Sequence, residues 1–319
     1  MNFFPTRSSR QSRSSRQHRI GSQRGAIAPA AHDATPPSEG RKRRARISVL
    51  ARGALKKALG IDQQTGVKPL RDLRPVGSHF HHYYVPEGIL DSNSVCYCIG
   101  AGEDISFDTE LKTRYGCNVH IFDPTPYGID HFNELKDHVS NGRTLTLNEG
   151  GRSYIYRITR DQLSGIEYVP IGVWREKTLL TLRDSGKQTY PSFSAYFFPE
   201  SEATLEAPVD RLGNLMRERG HRSVDVVKIE IEGAEYAVLD TIVEDRLDIK
   251  VILVVFDEVF NAKGIARFFR IRRYSRKLIK AGYTLVHSNR CFKRTFVRND
   301  VYRRLKSLEV ERRRRARMR

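Results

Sequence analysis

Between residues 94 and 256 short apolar runs alternate with stretches of helical periodicity, an order that admits few folds. A parallel strand hidden on both faces needs a long crossover to reach its neighbour, and a helix usually provides it. The alternation therefore specifies an α/β domain with helices on both faces of a largely parallel sheet. The spacing predicts strands near 94–99, 118–122, 166–171, 224–231 and 250–256, and helices over 104–115, 127–139, 210–219, 234–245 and 262–281. Tyr283 to Val286 and Phe292 to Val297, separated by Ser288-Asn289-Arg290, predict an antiparallel hairpin.

The formal charge of +19 suggests a polyanion partner until it is located along the chain. Residues 1–46 carry +9 and residues 303–319 carry +7, whereas residues 47–258 sum to −8. The acidic half coincides with the strand and helix pattern. Residues 1–46 repeat Ser, Arg and Gln with too little apolar surface to offset ordering, and read as a disordered basic arm. A transit peptide fits the same composition, and the arm is preferred. From Ile47 to Ile61 apolar residues recur at helical spacing with Arg52, Lys56 and Lys57 between them, which predicts a basic amphipathic helix and linker over 47–78. The domain proper is expected over 79–302, with a basic tail from 303 to 319.

Cys96, Cys98, Cys117 and Cys291 form neither a CxxC pair nor a metal-ligand spacing, and Cys96 and Cys98 share a strand face as small hydrophobes, which points to a reducing cytoplasm. No apolar run approaches the length of a membrane span. A peripheral site at a membrane surface fits that chemistry as well. His79, His81 and His82 stand close together, but no acidic or Cys ligand completes a metal site, and they read as a polar edge before the domain.

Three segments carry the chemistry. The first strand runs into Gly100-Ala101-Gly102 and then a helix, where glycines permit a tight turn and close backbone approach to a ligand on the helix N-terminus. The dinucleotide fingerprint needs a third glycine at 105, where Ile105 stands, which weakens a nicotinamide-dependent oxidoreductase. The second strand ends in Asp123, about twenty residues on, as expected of a carboxylate that binds ribose hydroxyls. Asp123 also suits a cap of the turn through Pro124 to Pro126. On the fourth strand Lys228, Glu230 and Glu232 share one face, which is costly in a central strand without partners or a polar cleft. The alternative is a self-satisfied Lys228–Glu230 pair with Glu232 and Glu235 starting the next helix.

Gly100-Ala-Gly-Glu-Asp-Ile-Ser-Phe-Asp108, Phe122-Asp-Pro-Thr-Pro126 and Lys228-Ile-Glu-Ile-Glu-Gly-Ala-Glu235 together resemble the FkbM family of methyltransferases, over roughly residues 85–298. The resemblance implies a Rossmann-like class I methyltransferase fold, α/β with a mostly parallel seven-stranded sheet, that uses S-adenosylmethionine (SAM) and methylates hydroxyls of sugars, glycans or secondary metabolites. Two positions depart from the family pattern. Glu230 stands where an aspartate is usual, and Val255-Phe256-Asp257 stands where Glu-Phe-His is frequent, which leaves substrate choice and the base open.

For a methyl transfer to oxygen, alignment and removal of one proton are the main demands. The expected cofactor contacts are Gly100 and Gly102 for backbone approach, Glu103 or Asp104 for the methionine ammonium, Asp123 for ribose, and the segment at Gly172 beside the adenine. Glu232 is the expected base, with Lys228 and Glu230 organising the cleft and Asp257 as the alternative base. The helix over 262–281 is basic, with Arg267, Arg270, Arg273 and Arg276 interleaved with Phe268 and Phe269. A solvated face is the default, while RNA, anionic lipid and anionic glycans are the partners such charge attracts. A methyltransferase fold that has lost catalysis and serves as a polyanion-binding adaptor is the second function class.

Overall fold

The computed structural model describes residues 53–149, 151–186, 192–258, 264–289 and 292–317. In chain order its elements are β1 (Leu73–Val76), β2 (Tyr83–Pro86), β3 (Val95–Ile99), α1 (Ser106–Tyr115), β4 (Asn118–Phe122), α2 (Pro126–Ser140), β5 (Thr146–Glu149), β6 (Arg152–Ile155), α3 (Arg160–Ser164) and β7 (Ile166–Val169). They continue as β8 (Gly172–Trp174), β9 (Thr178–Asp184), β10 (Phe193–Ser194), β11 (Thr204–Arg211), α4 (Leu212–Glu218), β12 (Ser223–Ile229), α5 (Glu235–Glu244) and β13 (Asp248–Val254). The last four are α6 (Ala266–Lys280), β14 (Tyr283–Ser288), β15 (Arg294–Arg298) and α7 (Asn299–Arg317).

The main sheet has seven strands in the order β14-β15-β13-β12-β3-β4-β7. It is mixed: the pairings from β13 through β12, β3 and β4 to β7 are parallel, and β15 runs antiparallel to both β13 and β14. Strand alternation divides the core between its two faces. Cys96, Cys98 and Val226 pack with Phe107 and Leu111 of α1, Leu135 of α2 and Leu163 of α3. Tyr97, Ile99, Val227 and Ile229 pack with Leu215 of α4, Leu239 of α5 and Leu278 of α6. Helices thus cover both faces, as the near-continuous apolar runs require. No helix of the described residues is long and apolar enough to cross a membrane.

The structure redraws several boundaries. The third strand stops at Val169, and Gly172 opens β8, which leaves the main sheet to pair with β11 in a separate four-stranded sheet of order β10-β9-β11-β8. The helix expected from 210 begins at Leu212 because Asp210 and Arg211 are the last pairs of β11 with β8. The expected basic tail is helical through Arg317, continuing α7. Val301 and Leu305 are buried one turn apart, and in the next turn the Glu309 carboxylate accepts from the Arg71 amide at 2.7 Å, which anchors this helix despite its arginines. Of the amphipathic segment, residues 53–58 are helical, while 47–52, like the arm 1–46 and Cys291, lie outside the described residues.

Candidate active site

The carboxyl ends of β3, β4 and β12 converge, which is where open α/β sheets take ligands. Gly100 follows β3 with φ +86, and a Cβ there would stand 1.8 Å from the carbonyl oxygen of Glu230. Contact between the loop and the end of β12 therefore dictates glycine at this position. Gly102, with φ +53, has no atom within 4 Å of where a Cβ would stand, so it supplies the open backbone expected of the pair. The Ala101 and Gly102 amides donate to Asp123 Oδ2 at 2.7 and 3.0 Å. Asp123 Oδ1 accepts from the Thr125 amide at 2.7 Å and the Thr125 hydroxyl at 2.6 Å, so one carboxylate fixes the glycine loop and also caps the turn into α2. Asp104 is held from both sides, by the Ser78 hydroxyl at 2.8 Å and the Ser106 amide at 2.8 Å, and Glu103 is exposed.

Lys228, near the end of β12, is buried and donates to the Gly100 carbonyl, binding strand to loop. Its ammonium lies 3.7 Å from Glu230. Burial pulls it down, but the carboxylates of Asp108 on α1 and of Glu230 outweigh that and hold it above the ordinary lysine value. Glu230 accepts from the Tyr83 hydroxyl and lies 3.9 Å from His81 Nδ1. Burial opposes its ionisation, yet Lys293, His81 and Lys228 hold it well below the usual carboxylate range. The strand expected over 224–231 thus ends at Ile229, and Lys228 with Glu230 just beyond it form a partnered cluster that lines a cleft.

Beyond β12 the backbone turns sharply, with Glu232 at φ +51 and Gly233 at φ +98. A left-handed glutamate is strained, and three bonds hold this turn. The Glu232 amide donates to Asp257 Oδ2 at 3.1 Å, its carbonyl accepts from Ser194 at 2.6 Å, and Glu235 Oε1 accepts from the Gly233 amide at 2.9 Å. Glu235, which the alternative sequence reading makes a helix starter, opens α5 and is fully buried. Burial pushes its carboxyl from 4.5 to about 7, against the amides of Gly233 and Ile231. Burial and the neighbouring carboxylates of Glu235, Glu230 and Glu232 push Asp257 well above its ordinary value.

A carboxyl protonated in the native state and ionised in the unfolded chain stabilises at low pH, and that contribution is lost as pH rises. For Glu235 the loss runs from 4.5 to about 7, on the order of 3 kcal/mol. Glu235→Gln keeps the acceptor oxygen and removes the titration. Urea denaturation is expected to show the variant gaining on the wild type between pH 5 and pH 8, with the gap constant above that range; a pH-independent difference would show that Glu235 titrates normally.

A cleft of about 470 Å³ lies over these strand ends. Gly100, Gly102, Glu103, Asp104, Asp123, Gly172, Lys228, Glu230 and Glu232 all line it, while Asp257 stands behind the Glu232 turn. Its outer wall comes from the four-stranded sheet, through Val173, Trp174, Leu180, Leu182, Phe193 and Val209. Tyr127 joins that sheet to α2, donating to Asp184 at 2.7 Å and standing 5.4 Å from the Phe193 ring. His81 reaches the cleft from the β1–β2 connection, so the histidine cluster is more than a polar edge. Five carboxylates and one lysine face the cleft, which makes it suited to a cation.

A model described as the methyltransferase FkbM domain matches residues 94–284, more than half of the chain. The chain belongs to the FkbM methyltransferase family. Among solved structures this family member is similar to the methyltransferase FkbM from Methylobacillus flagellatus KT, with 10% identity, 80% of this chain and 59% of that chain covered, and a TM-score of 0.40. It is similar to the METTL16 MTase domain, with 12% identity, coverage of 64% and 59%, and a TM-score of 0.33. The fibrillarin pre-rRNA processing protein of Methanococcus jannaschii gives 10% identity, coverage of 73% and 85%, and a TM-score of 0.34. The chain thus spans less than two thirds of the first two. No curated protein matches it.

Proposed function

We propose that this FkbM-family chain transfers the methyl group of SAM to a hydroxyl oxygen of a sugar, glycan or secondary metabolite, in the cleft above β3, β4 and β12. The observation that supports this most is the meeting of all three sequence motifs in one acidic cleft. Its volume of about 470 Å³ falls within the roughly 300–1,000 Å³ of small-molecule sites. The cofactor fits the residues present: Gly102 leaves open backbone, and the carboxylates suit an ammonium and a sulfonium. When bound, SAM supplies an electrophilic methyl carbon on a cationic sulfur.

The chain's own residues divide the remaining work. Asp104 is committed to Ser78 and Ser106, so exposed Glu103 is the better partner for the ammonium. The four lone-pair sites of Asp123 are filled by Ala101, Gly102 and Thr125, so a ribose diol would displace the Thr125 bonds while the loop bonds remain. Gly172, packed on Pro124 and Val209, leads into Val173 and Trp174 on the wall assigned to the adenine. Asp257 lies behind the wall, where its Oδ2 accepts from the Glu232 amide, which leaves Glu232 as the base that accepts the acceptor hydroxyl's proton. Lys228 and Glu230 hold loop and strand in register. Buried free thiols at Cys96, Cys98 and Cys117 support a reducing, cytoplasmic setting. The adaptor reading has the basic helix α6 in its favour and the acidic cleft against it.

Methyl-labelled SAM incubated with the full chain and a panel of hydroxylated glycans and metabolites tests the proposal. Label is expected in at least one acceptor, and Glu232→Gln is expected to slow transfer by about 10²- to 10⁴-fold with SAM binding retained. Saturable SAM binding with no transfer to any hydroxyl would favour another acceptor atom or the adaptor.

A further inference from the structure

Five of the ten large apolar side chains that are exposed among the described residues gather on one surface, outside the cleft. Phe269 lies on the solvent side of α6, opposite buried Ile271, Ser275 and Leu278, and is flanked by exposed Ile279 on the helix and exposed Ile265 at its N-cap. At 100° per residue Arg273, Arg276 and Lys280 fall on the same outward side. These three cations pair with no carboxylate among the described residues, whereas Lys277 and Arg270 are spent on Asp240 and Glu258. The turn at 53–60 packs beside this helix, with Lys56 Nζ 4.8 Å from the Phe268 ring and the Arg272 guanidinium about 3 Å from where a Gly60 Cβ would stand. It adds Leu55 and Leu59, which are exposed, together with Lys56 and Lys57.

We propose that this surface docks on an anionic lipid bilayer, with the aliphatic and aromatic side chains entering the headgroup boundary and the lysines and arginines meeting lipid phosphates and carboxylates. Cations alone would suit RNA equally, but Leu55, Leu59, Ile265 and Ile279 have no stacking use on a nucleic acid, and exposing them to water costs free energy that a membrane interface recovers. The surface is independent of the methyl-transfer reading.

The test is co-sedimentation of the full chain with phosphatidylcholine vesicles, with and without phosphatidylserine, at about 0.15 M salt. Binding is expected only to the anionic vesicles. Arg273→Gln, Arg276→Gln and Lys280→Gln together should weaken it by about a hundredfold, roughly fivefold per cation. Phe269→Ser with Ile279→Ser should weaken it by at least about tenfold at unchanged charge. The arm of residues 1–46 is common to wild type and variants, so the differences report on α6. All substituted positions are exposed, and an unchanged urea denaturation midpoint would confirm that the variants fold. Vesicle binding that the Phe269→Ser, Ile279→Ser variant retains in full would overturn the proposal. So would absence of vesicle binding alongside tight binding of a single-stranded RNA oligonucleotide.

Discussion

Replacing Gly100 with alanine is expected to abolish cofactor binding and to lower the stability of the domain by several kcal/mol. A Cβ placed 1.8 Å from the Glu230 carbonyl oxygen meets rigid backbone, and the residue's φ of +86 already disfavours any L side chain. The only relief is to part the ends of β3 and β12, which breaks the bond from Lys228 to the Gly100 carbonyl and the bond from the Glu230 amide to Ile99 at 3.1 Å. Gly102→Ala is the informative control. It has open space around the Cβ and the same backbone handedness, so it should cost only about 1 kcal/mol of stability while obstructing the cofactor. Urea denaturation and SAM titration of both variants check the contrast, and equal stability losses would contradict it.

Lys228→Met should be nearly as severe, for an electrostatic reason. Methionine fills the space of the lysine stem but leaves Asp108 and Glu230 without their shared cation. Asp108 is fully buried beside the Cys98 thiol, and burial pushes its carboxyl up despite Lys228. Breaking a buried ion pair by removing one partner costs about 3–5 kcal/mol. Adding Asp108→Asn to Lys228→Met removes one of the stranded charges and is expected to restore part of that loss. A double variant as unstable as the sum of the single changes would show that the two groups do not interact.

The sheet was legible because parallel strands buried on both faces leave apolar runs such as Val251 to Phe256 that little else explains. The motifs were legible for a related reason: three charges at alternate positions, Lys228, Glu230 and Glu232, are too costly in a buried strand to be incidental, although β12 ends at Ile229 and the two glutamates lie just beyond it. The outer wall of the cleft was hidden. Thr178 to Asp184 has the period of a half-buried strand, with Leu179 exposed and Leu180 and Leu182 on the cleft. Its partner β11, however, contains Pro208, which argues against an inner strand. The structure accommodates that proline opposite Leu179, one residue before the pairing with β8 begins at Val209, so its missing N–H interrupts no bond to β8. His81 was hidden because its position depends on the β1–β2 hairpin, whose strands are only four residues long. At the C-terminus the run of arginines masked the Val301 and Leu305 spacing that seats α7.

Calorimetric titration of SAM into the full chain tests most directly whether the cleft is a cofactor site. Saturable binding at one site per chain is expected, with no comparable binding of a nicotinamide dinucleotide. Asp123→Ala, which releases the Ala101 and Gly102 amides, should weaken SAM binding by at least about tenfold. A chain that binds no SAM, or binds it equally well without the Asp123 carboxylate, would contradict the placement of the cofactor above β3 and β4.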